Sequence, residues 1–415
     1  MTALERPSRR ILYITNGFPY PLTSGYLRHY HLIGQLAAAG QRIVLLSIVG
    51  ADHQPEHAAA MADRTERVEV FRSLDRASSG GQRLTRRFRR ILPFTGGDPA
   101  GIRLAARVGD LVRTESFDAV VFSGKRTDRA LRELGTLPVV VDMCDATSLR
   151  LEREMAVATP SRRAALRVQA RQVRRTERRM LERADRLLFA STRDREALLP
   201  GHVGGDERAA IVPNGVDTAF WERTGPNLGS DEIVFTGAMS YAPNVDAAVH
   251  LARTILPLVH RSMPTARLSI VGRDPAPAVV AAAELPGVTV TGFVDDVRPY
   301  LERAAVFAAP LRFGAGIQNK LLEAMSMAVP SVVSGLAADG LRTGSGDQPP
   351  VAIADDDDAA AAAIVAALRR AAIDPRPDDA ARAYVTAHFS WRRSGEELAR
   401  LIESARAETA SGAAP

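Results

Sequence analysis

Residues 310–335 read PLRFGAGIQNKLLEAMSMAVPSVVSG. Two glycines, Gly314 and Gly316, sit in a loop that runs into a helix carrying Lys320 and Glu323. Pro330 to Ser334 then reads as a strand. Loop, helix and strand in that order form one layer of a parallel α/β sheet with an anion site at its edge. Backbone N–H groups at the helix start, the helix dipole and one lysine can all face a diphosphate. Glu323 follows on the same side as Lys320, where a carboxylate can accept hydrogen bonds from ribose hydroxyls. The same string also reads as a glycine-bearing loop before an ordinary amphipathic helix, so its surroundings have to decide.

Outward from this stretch, the second half alternates strands with amphipathic helices. The strands are expected at Ile233–Gly237, Ala266–Gly272, Val288–Thr291, Ala305–Ala309 and Val351–Ala354, with helices at Asn244–Ser262 and Asn319–Met327. Asp355 to Asp358 should cap a helix over Ala359–Ala372. The first half repeats the pattern, with strands at 10–16, 42–50, 68–71, 119–122, 139–142 and 186–191, the last of these expected to close the sheet. Arg223 to Asp231 reads as the hinge, and a final helix follows Trp391. At 415 residues the chain suits two domains of about 150–200 residues each.

PNGVDTAFW, FTGAMSYAPNVDA, LSIVG, VTGFVDDVRPYL and GIQNKLLEAM follow one another from residue 213 to residue 325. With FGAGIQNKLLEAM among them, that order resembles the family-4 retaining glycosyltransferases, in the sub-branch with a GIQNK-type run. The resemblance covers most of residues 9–405 and is stronger in the second half. It implies the GT-B fold: two Rossmann-like domains facing a central cleft, with a C-terminal helix returning to the first. The expected domains are an acceptor domain over 9–222, a nucleotide-sugar domain over 231–385 and the crossing helix over 386–408. The implied reaction moves a hexosyl group, with retention, from a nucleotide-diphosphate sugar to a hydroxyl. The acceptor is a lipid-linked or polysaccharide precursor, or a small natural product. No cofactor and no metal are expected.

The family pattern has two glutamates separated by seven residues; the second corresponds to Glu323 and the first falls at Ala315. Many members carry an Arg and a Lys after the first strand of the second domain, whereas Gly237 to Asn244 has no basic residue here. Relatives often place a histidine beside the sugar where this chain has Cys144, which is read as a packing residue.

The expected donor-binding residues are Gly25, Gly237, Arg273, Phe293, Val294, Gly314, Gly316, Ile317, Gln318, Asn319, Lys320 and Glu323. Gly25 enters because it lies near the carboxyl end of the first strand, where open α/β sheets bind ligands. Lys320 is the first candidate for the diphosphate and Arg273 the second. The turn at Gly292 resembles the segment whose backbone reads the base in relatives, which leaves UDP, GDP and dTDP open. Phe293 is expected to be a core residue rather than a stacking platform. On the acceptor side stand Tyr26, Arg28, Asp142, Asp145 and Ser148. Asp142 and Asp145 are read as orienting hydroxyls or as helix caps. No paired carboxylates stand out as acid and base. That suits retaining transfer in which the leaving phosphate takes the proton and positioning supplies most of the rate.

Two stretches are rich in arginine. Gln82–Phe94 has five arginines in eight residues, and Ser161–Arg195 has twelve against four acids. Each reads as a solvated face or as a contact with an anionic bilayer. Gln82–Phe94, with Arg86, Arg87, Phe88, Arg89 and Arg90, is the better membrane candidate. One cysteine allows no intramolecular disulfide and the N-terminus lacks a secretory core, so a cytoplasmic place, including the inner membrane face, is expected. The oligomeric state is open. A GxxxxGK[ST] run is absent, as is GxGxxG after the first strand. The basic stretches have few aromatics, which argues against nucleic acid. An epimerase of this fold would need acid and base groups that this chain lacks. A weakly catalytic nucleotide-sugar-binding protein stays open as the alternative.

Overall fold

The computed structural model describes residues 8–22, 26–50, 53–73, 99–201, 206–225, 231–314, 316–343 and 346–412. Gly25, Ala315 and the segment Gln82–Phe94 with Arg86, Arg87, Phe88, Arg89 and Arg90 lie outside these residues. The chain divides into two compact units. The first comprises residues 1–190, 194–213 and 391–415; the second comprises 191–193 and 214–390. The chain therefore crosses between units at Ala190/Ser191, Arg193/Asp194, Pro213/Asn214 and Ser390/Trp391. Residues 214–222 are held by the second unit: the Ser326 hydroxyl and the Arg382 guanidinium both donate to the Trp221 carbonyl.

The first unit holds a seven-stranded parallel sheet in the order β3-β2-β1-β4-β5-β6-β7. These strands are β1 (Arg10–Thr15), β2 (Arg42–Val49), β3 (Arg67–Arg72), β4 (Ala119–Ser123), β5 (Val139–Asp142), β6 (Arg186–Phe189) and β7 (Ala209–Ile211). Runs such as Ile11 to Ile14 and Val120 to Phe122 are apolar and buried throughout, as strands covered on both faces must be. The strand order reverses between β1 and β4, which makes their carboxyl ends the place where such sheets take ligands. The edge is β7, one strand beyond the expected edge. Its three residues are only half-buried, so it leaves little apolar signal.

The helix Trp391–Gly412 belongs to this first unit. Its register is set by two contacts. The Trp391 ring stacks on His31 at 4.4 Å between centroids. Gly395 meets the helix Leu27–Ala38 so closely that a Cβ there would lie 2.2 Å from Cβ of Gln35. Leu398, Leu401, Ile402 and Ala405 then enter the core with Ile11, Leu36 and Val121. A hairpin of the helices Thr147–Val157 and Pro160–Arg183 closes around Leu151, Leu166, Ala170 and Val173.

The second unit has six parallel strands in the order β10-β9-β8-β11-β12-β13. They are β8 (Glu232–Thr236), β9 (Arg267–Val271), β10 (Val288–Val290), β11 (Val306–Ala309), β12 (Ser331–Val333) and β13 (Ala352–Ile353). The helix expected over Asn244–Ser262 is instead Ala242–His250, a π turn Leu251–Ile255 and Leu256–His260. Pro257 lacks an N–H, and the wider turn before it absorbs the missing hydrogen bond. The acidic run caps as expected: the Asp356 carboxylate accepts from the Ala359 N–H at 2.7 Å. No helix among the described residues is long and apolar enough to cross a membrane.

Candidate functional site

At the carboxyl end of β8 the chain turns through Gly237 at φ +148°. A Cβ there would lie 2.6 Å from the Asn244 amide nitrogen and 3.1 Å from Cε of Lys320. The missing side chain leaves room for the lysine. Gly272, at the end of β9, approaches from the other side; a Cβ on it would lie 1.7 Å from the Gly237 carbonyl oxygen. Two adjacent strands thus end in glycines, and the lysine of a third layer fills the space between backbone and Asn244.

Lys320 is held by three groups. Its Nζ donates to Asn244 Oδ1 at 2.8 Å and to Gln318 Oε1 at 3.2 Å, and it lies 5.6 Å from the centroid of the Phe235 ring. Asn244 is itself fixed by a bond from its amide to the Ala238 carbonyl at 3.0 Å. These hydrogen-bond partners are neutral, and the charge that acts on the half-buried ammonium is that of Glu323. Burial pulls it down to about 8, with Glu323 opposing. Burial likewise pushes the Glu323 carboxyl up to about 7, with Lys320 opposing. Among the described residues nothing donates a hydrogen bond to that carboxylate. The helix Asn319–Ser326 has no side-chain cap on its N-terminus.

The loop before this helix is fixed from behind. Gly316 takes φ +68°, and its carbonyl accepts from the Arg193 guanidinium at 3.1 Å. Arg193 also donates to the Leu336 carbonyl at 2.7 Å, and Asn214 donates to Asn319 Oδ1 at 2.8 Å. Gly314 and Ile317 are buried with the loop. Asn244, Phe235, Arg193 and Asn214 are the site residues that sequence reading missed. Asn244 stood inside the quoted string APNVDA, but nothing local shows that it meets a lysine 76 positions away.

Gly237, Gln318 and Lys320 therefore meet around Asn244 at the carboxyl end of β8, and Asn319 and Glu323 lie with Lys320 on the helix Asn319–Ser326. Arg273 stands apart from that description: its guanidinium is paired with Asp274 at 2.6 Å. Phe293 differs from expectation. It is 64% exposed, because Gly292 at φ +69° turns the chain out of the sheet, and Val294 behind it is half-buried.

The first unit gathers polar groups at the carboxyl ends of β1, β4 and β5. Asp142 is buried, with Oδ2 on Arg28 Nε at 2.7 Å and Oδ1 accepting from the Cys144 N–H at 3.0 Å. Burial would raise its carboxyl, but Arg28 wins and holds it below the usual range. Arg28 is thereby the buried salt-bridge partner of Asp142. Neither aspartate caps the helix Thr147–Val157, whose N-cap is Ala146. Ser148 is buried, and its N–H donates to Glu177 at 3.2 Å. Asp145 keeps a third of its side chain exposed while Lys125 Nζ reaches Oδ1 at 3.4 Å and the Thr147 hydroxyl donates at 2.8 Å. Burial favours a neutral Asp145, but Lys125 outweighs it and keeps the carboxylate ionised. Lys125, in the loop after β4, was missed, although that loop's SGKR sequence at a strand end was a usable signal.

Cys144 adopts φ +53°, and its Sγ lies 3.3 Å from Ser123 Oγ and 3.8 Å from His29 Nε2. Burial pushes the thiol up to about 12 and pulls His29 down to about 4. A thiol so protonated is no nucleophile. His29, Asp142 and Cys144 bring ligand-type atoms within 4.8 Å, but a metal there would compete with Arg28 for Asp142. Tyr26 packs its ring over Gly17, where a Cβ would lie 2.0 Å from it.

Residues 28–215 match a family model described as glycosyl transferase 4-like domain, and residues 230–370 match one described as glycosyl transferases group 1. The chain carries two glycosyltransferase domains. Their fold is GT-B. Sucrose-phosphate synthase from Thermosynechococcus elongatus is similar over 96% of this chain and 100% of its own, at 16% identity and TM-score 0.68. Anabaena HepE, solved in complex with UDP, is similar over 95% and 100%, at 12% identity and TM-score 0.62. HepE in complex with UDP-glucose gives 13% identity and TM-score 0.61 over the same shares. No curated protein matches the chain. Within the second glycosyltransferase domain, the cluster of Gly237, Asn244 and Lys320 sits at the carboxyl end of β8, and the loop after β11 leads into the helix with Lys320 and Glu323.

Proposed function

We propose that this glycosyltransferase moves a sugar, with retention, from a nucleotide-diphosphate sugar to a hydroxyl acceptor. The observation that carries the reading is the Lys320–Glu323 pair on one helix: a cation whose hydrogen-bond partners are both neutral amides, and a carboxylate with no donor among the described residues. Transfer builds negative charge on the departing diphosphate, and a desolvated ammonium stabilises it more than one in water would. Lys320 and the uncapped helix start take the diphosphate. Glu323 accepts from the ribose hydroxyls. The exposed Phe293 and the backbone at Val294 take the base. Because HepE was solved with UDP and UDP-glucose, uridine donors are the first to try, followed by GDP and dTDP sugars.

On the acceptor side, Asp145, held ionised by Lys125, orients a hydroxyl, with Tyr26 beside it. The acceptor oxygen forms a bond to the anomeric carbon as the bond to the diphosphate oxygen breaks, and the hydroxyl proton passes to that leaving oxygen. No side chain serves as acid or base.

Release of nucleoside diphosphate from a panel of UDP, GDP and dTDP sugars tests the proposal. Wild type is expected to turn over one donor class, hydrolysing it slowly when no acceptor is present. Lys320→Ala and Glu323→Gln should each lower turnover at least tenfold. Loss of a charge-assisted hydrogen bond typically costs roughly 1.5–3 kcal/mol. Tight binding of one nucleotide with no release from any donor would favour a binding protein instead.

A further inference from the structure

We infer, on the reading that Lys320 and the start of its helix take the diphosphate, that Arg193 is a positioning residue for the donor. Its part is indirect. It acts through the Gly316 carbonyl and sets the course of the loop that delivers the helix Asn319–Ser326.

Residues 310–318 join β11 to that helix and form neither strand nor helix. A segment without a ladder of its own takes the course that outside contacts impose on it. Here side chains supply those contacts. Near the start of the segment, the Ser334 hydroxyl donates to the Leu311 carbonyl at 2.7 Å. Near its end, Nη2 of Arg193 donates to the Gly316 carbonyl at 3.1 Å. Nη1 of the same guanidinium donates at 2.7 Å to the Leu336 carbonyl, in the short helix Gly335–Asp339 that follows β12. One planar cation thus ties the loop after β11 to the element after β12.

The Gly316 carbonyl is enclosed from a second side. A Cβ on Gly340 would lie 2.9 Å from its oxygen and 3.6 Å from Cα of Ile317. Gly340 has φ −65°, which any residue adopts, so glycine stands there for space rather than for backbone freedom. A guanidinium and a bare Cα therefore both serve to place one carbonyl oxygen. What that oxygen controls is close by. Gln318 is the N-cap of the helix, and its side chain accepts from Lys320 Nζ at 3.2 Å. A shift of the Gly316–Ile317 peptide moves the free N–H groups of the helix start, and with them the place where Lys320 meets Asn244. A misplacement of about 1 Å at groups of this kind can cost roughly a hundredfold. Ser191, Thr192 and Arg193 are grouped with the second unit while the chain on either side belongs to the first. What that brief excursion delivers to the second unit is this guanidinium.

Titration calorimetry of the full chain with UDP, GDP and dTDP, beside urea unfolding, tests the inference. The nucleotide that binds wild type should bind Arg193→Ala at least about tenfold more weakly, the loss typical of a charge-assisted hydrogen bond. Gly340→Ala should lose affinity likewise, because its Cβ displaces the same carbonyl. Arg193→Lys keeps the charge but cannot span two carbonyls, and should fall between wild type and Arg193→Ala. It replaces the alanine variant if that one does not fold. A double-mutant cycle with Lys320→Ala separates positioning from general damage. Added to Lys320→Ala, the Arg193 substitution should cost about threefold or less, because the group it places is already gone. Wild-type affinity in the Arg193 and Gly340 variants would overturn the inference and leave the donor site standing. An undiminished loss in the Lys320→Ala background would overturn it too, since the effect would not pass through the lysine. A wild type that binds none of the three nucleotides would overturn the donor reading, and this inference with it.

Discussion

Lys320 and Glu323 are shifted towards each other by the same cause, burial, and this gives the site a pH signature. Glu323 ionises near 7 and Lys320 loses its proton near 8. Below about 7 the carboxyl is protonated and cannot accept from both ribose hydroxyls. Above about 8 the lysine is neutral and cannot meet a diphosphate. Nucleotide affinity of the free enzyme should therefore peak between these values and fall on both sides, which titration calorimetry from pH 5.5 to 9.5 would show. Glu323→Gln should remove the acid limb and leave the alkaline one. Stability carries the opposite sign. The Glu323 carboxyl is raised on folding, so its contribution is full below the ordinary value of 4.5 and is lost as pH rises through 7. At pH 8 the glutamine variant should be at least as stable as wild type without ligand, the mark of a residue kept for binding rather than folding. Gly237 is the second residue-scale test. Gly237→Ala places a Cβ at φ +148° against Asn244 and Lys320. It should lower stability by about 1–3 kcal/mol in urea and weaken nucleotide binding more than tenfold.

Among elements, the C-terminal helix shows how far sequence pattern reaches. Its apolar spacing at Leu398, Ile402 and Ala405 was legible, as was its return to the first unit through the family resemblance. The stacking of Trp391 on His31 was not, because it joins residues 360 positions apart. Trp391→Ala should lower the urea midpoint by an amount worth about 3–5 kcal/mol. Nucleotide affinity of the folded protein should not change, since Lys320 and Glu323 belong to the second unit; a parallel loss of affinity would show that the helix does more than close the first unit. Other elements escaped for local reasons. β7 was missed because three half-buried residues carry no period. The π turn at Leu251–Ile255 sits inside an unbroken helical pattern, and only Pro257 hints at it.

Across the whole molecule, the alternation of strands and helices was enough for two parallel sheets, because strands buried on both faces are uniformly apolar. The loop with Gly314 and Gly316, the helix start and Lys320 were legible because they are contiguous in sequence. What could not be read was which charged groups face a ligand and which face each other. Asp142 stood at a strand end where a hydroxyl contact or a helix cap was expected, and its partner Arg28, 114 positions away, could not be read from the sequence. Phe293 looked like core, yet a glycine turn puts it in solvent. The central claim is that Lys320 and Glu323 bind the donor nucleotide. Thermal unfolding of wild type and Glu323→Gln with UDP, GDP, dTDP and ADP, each alone, tests it most directly. A ligand at 100 times its dissociation constant adds roughly 2.7 kcal/mol, a rise of about 5 °C or more. One nucleotide should raise the wild-type midpoint by that amount and lose most of the effect in the variant. No shift with any of the four, or an equal shift in both proteins, would contradict the account.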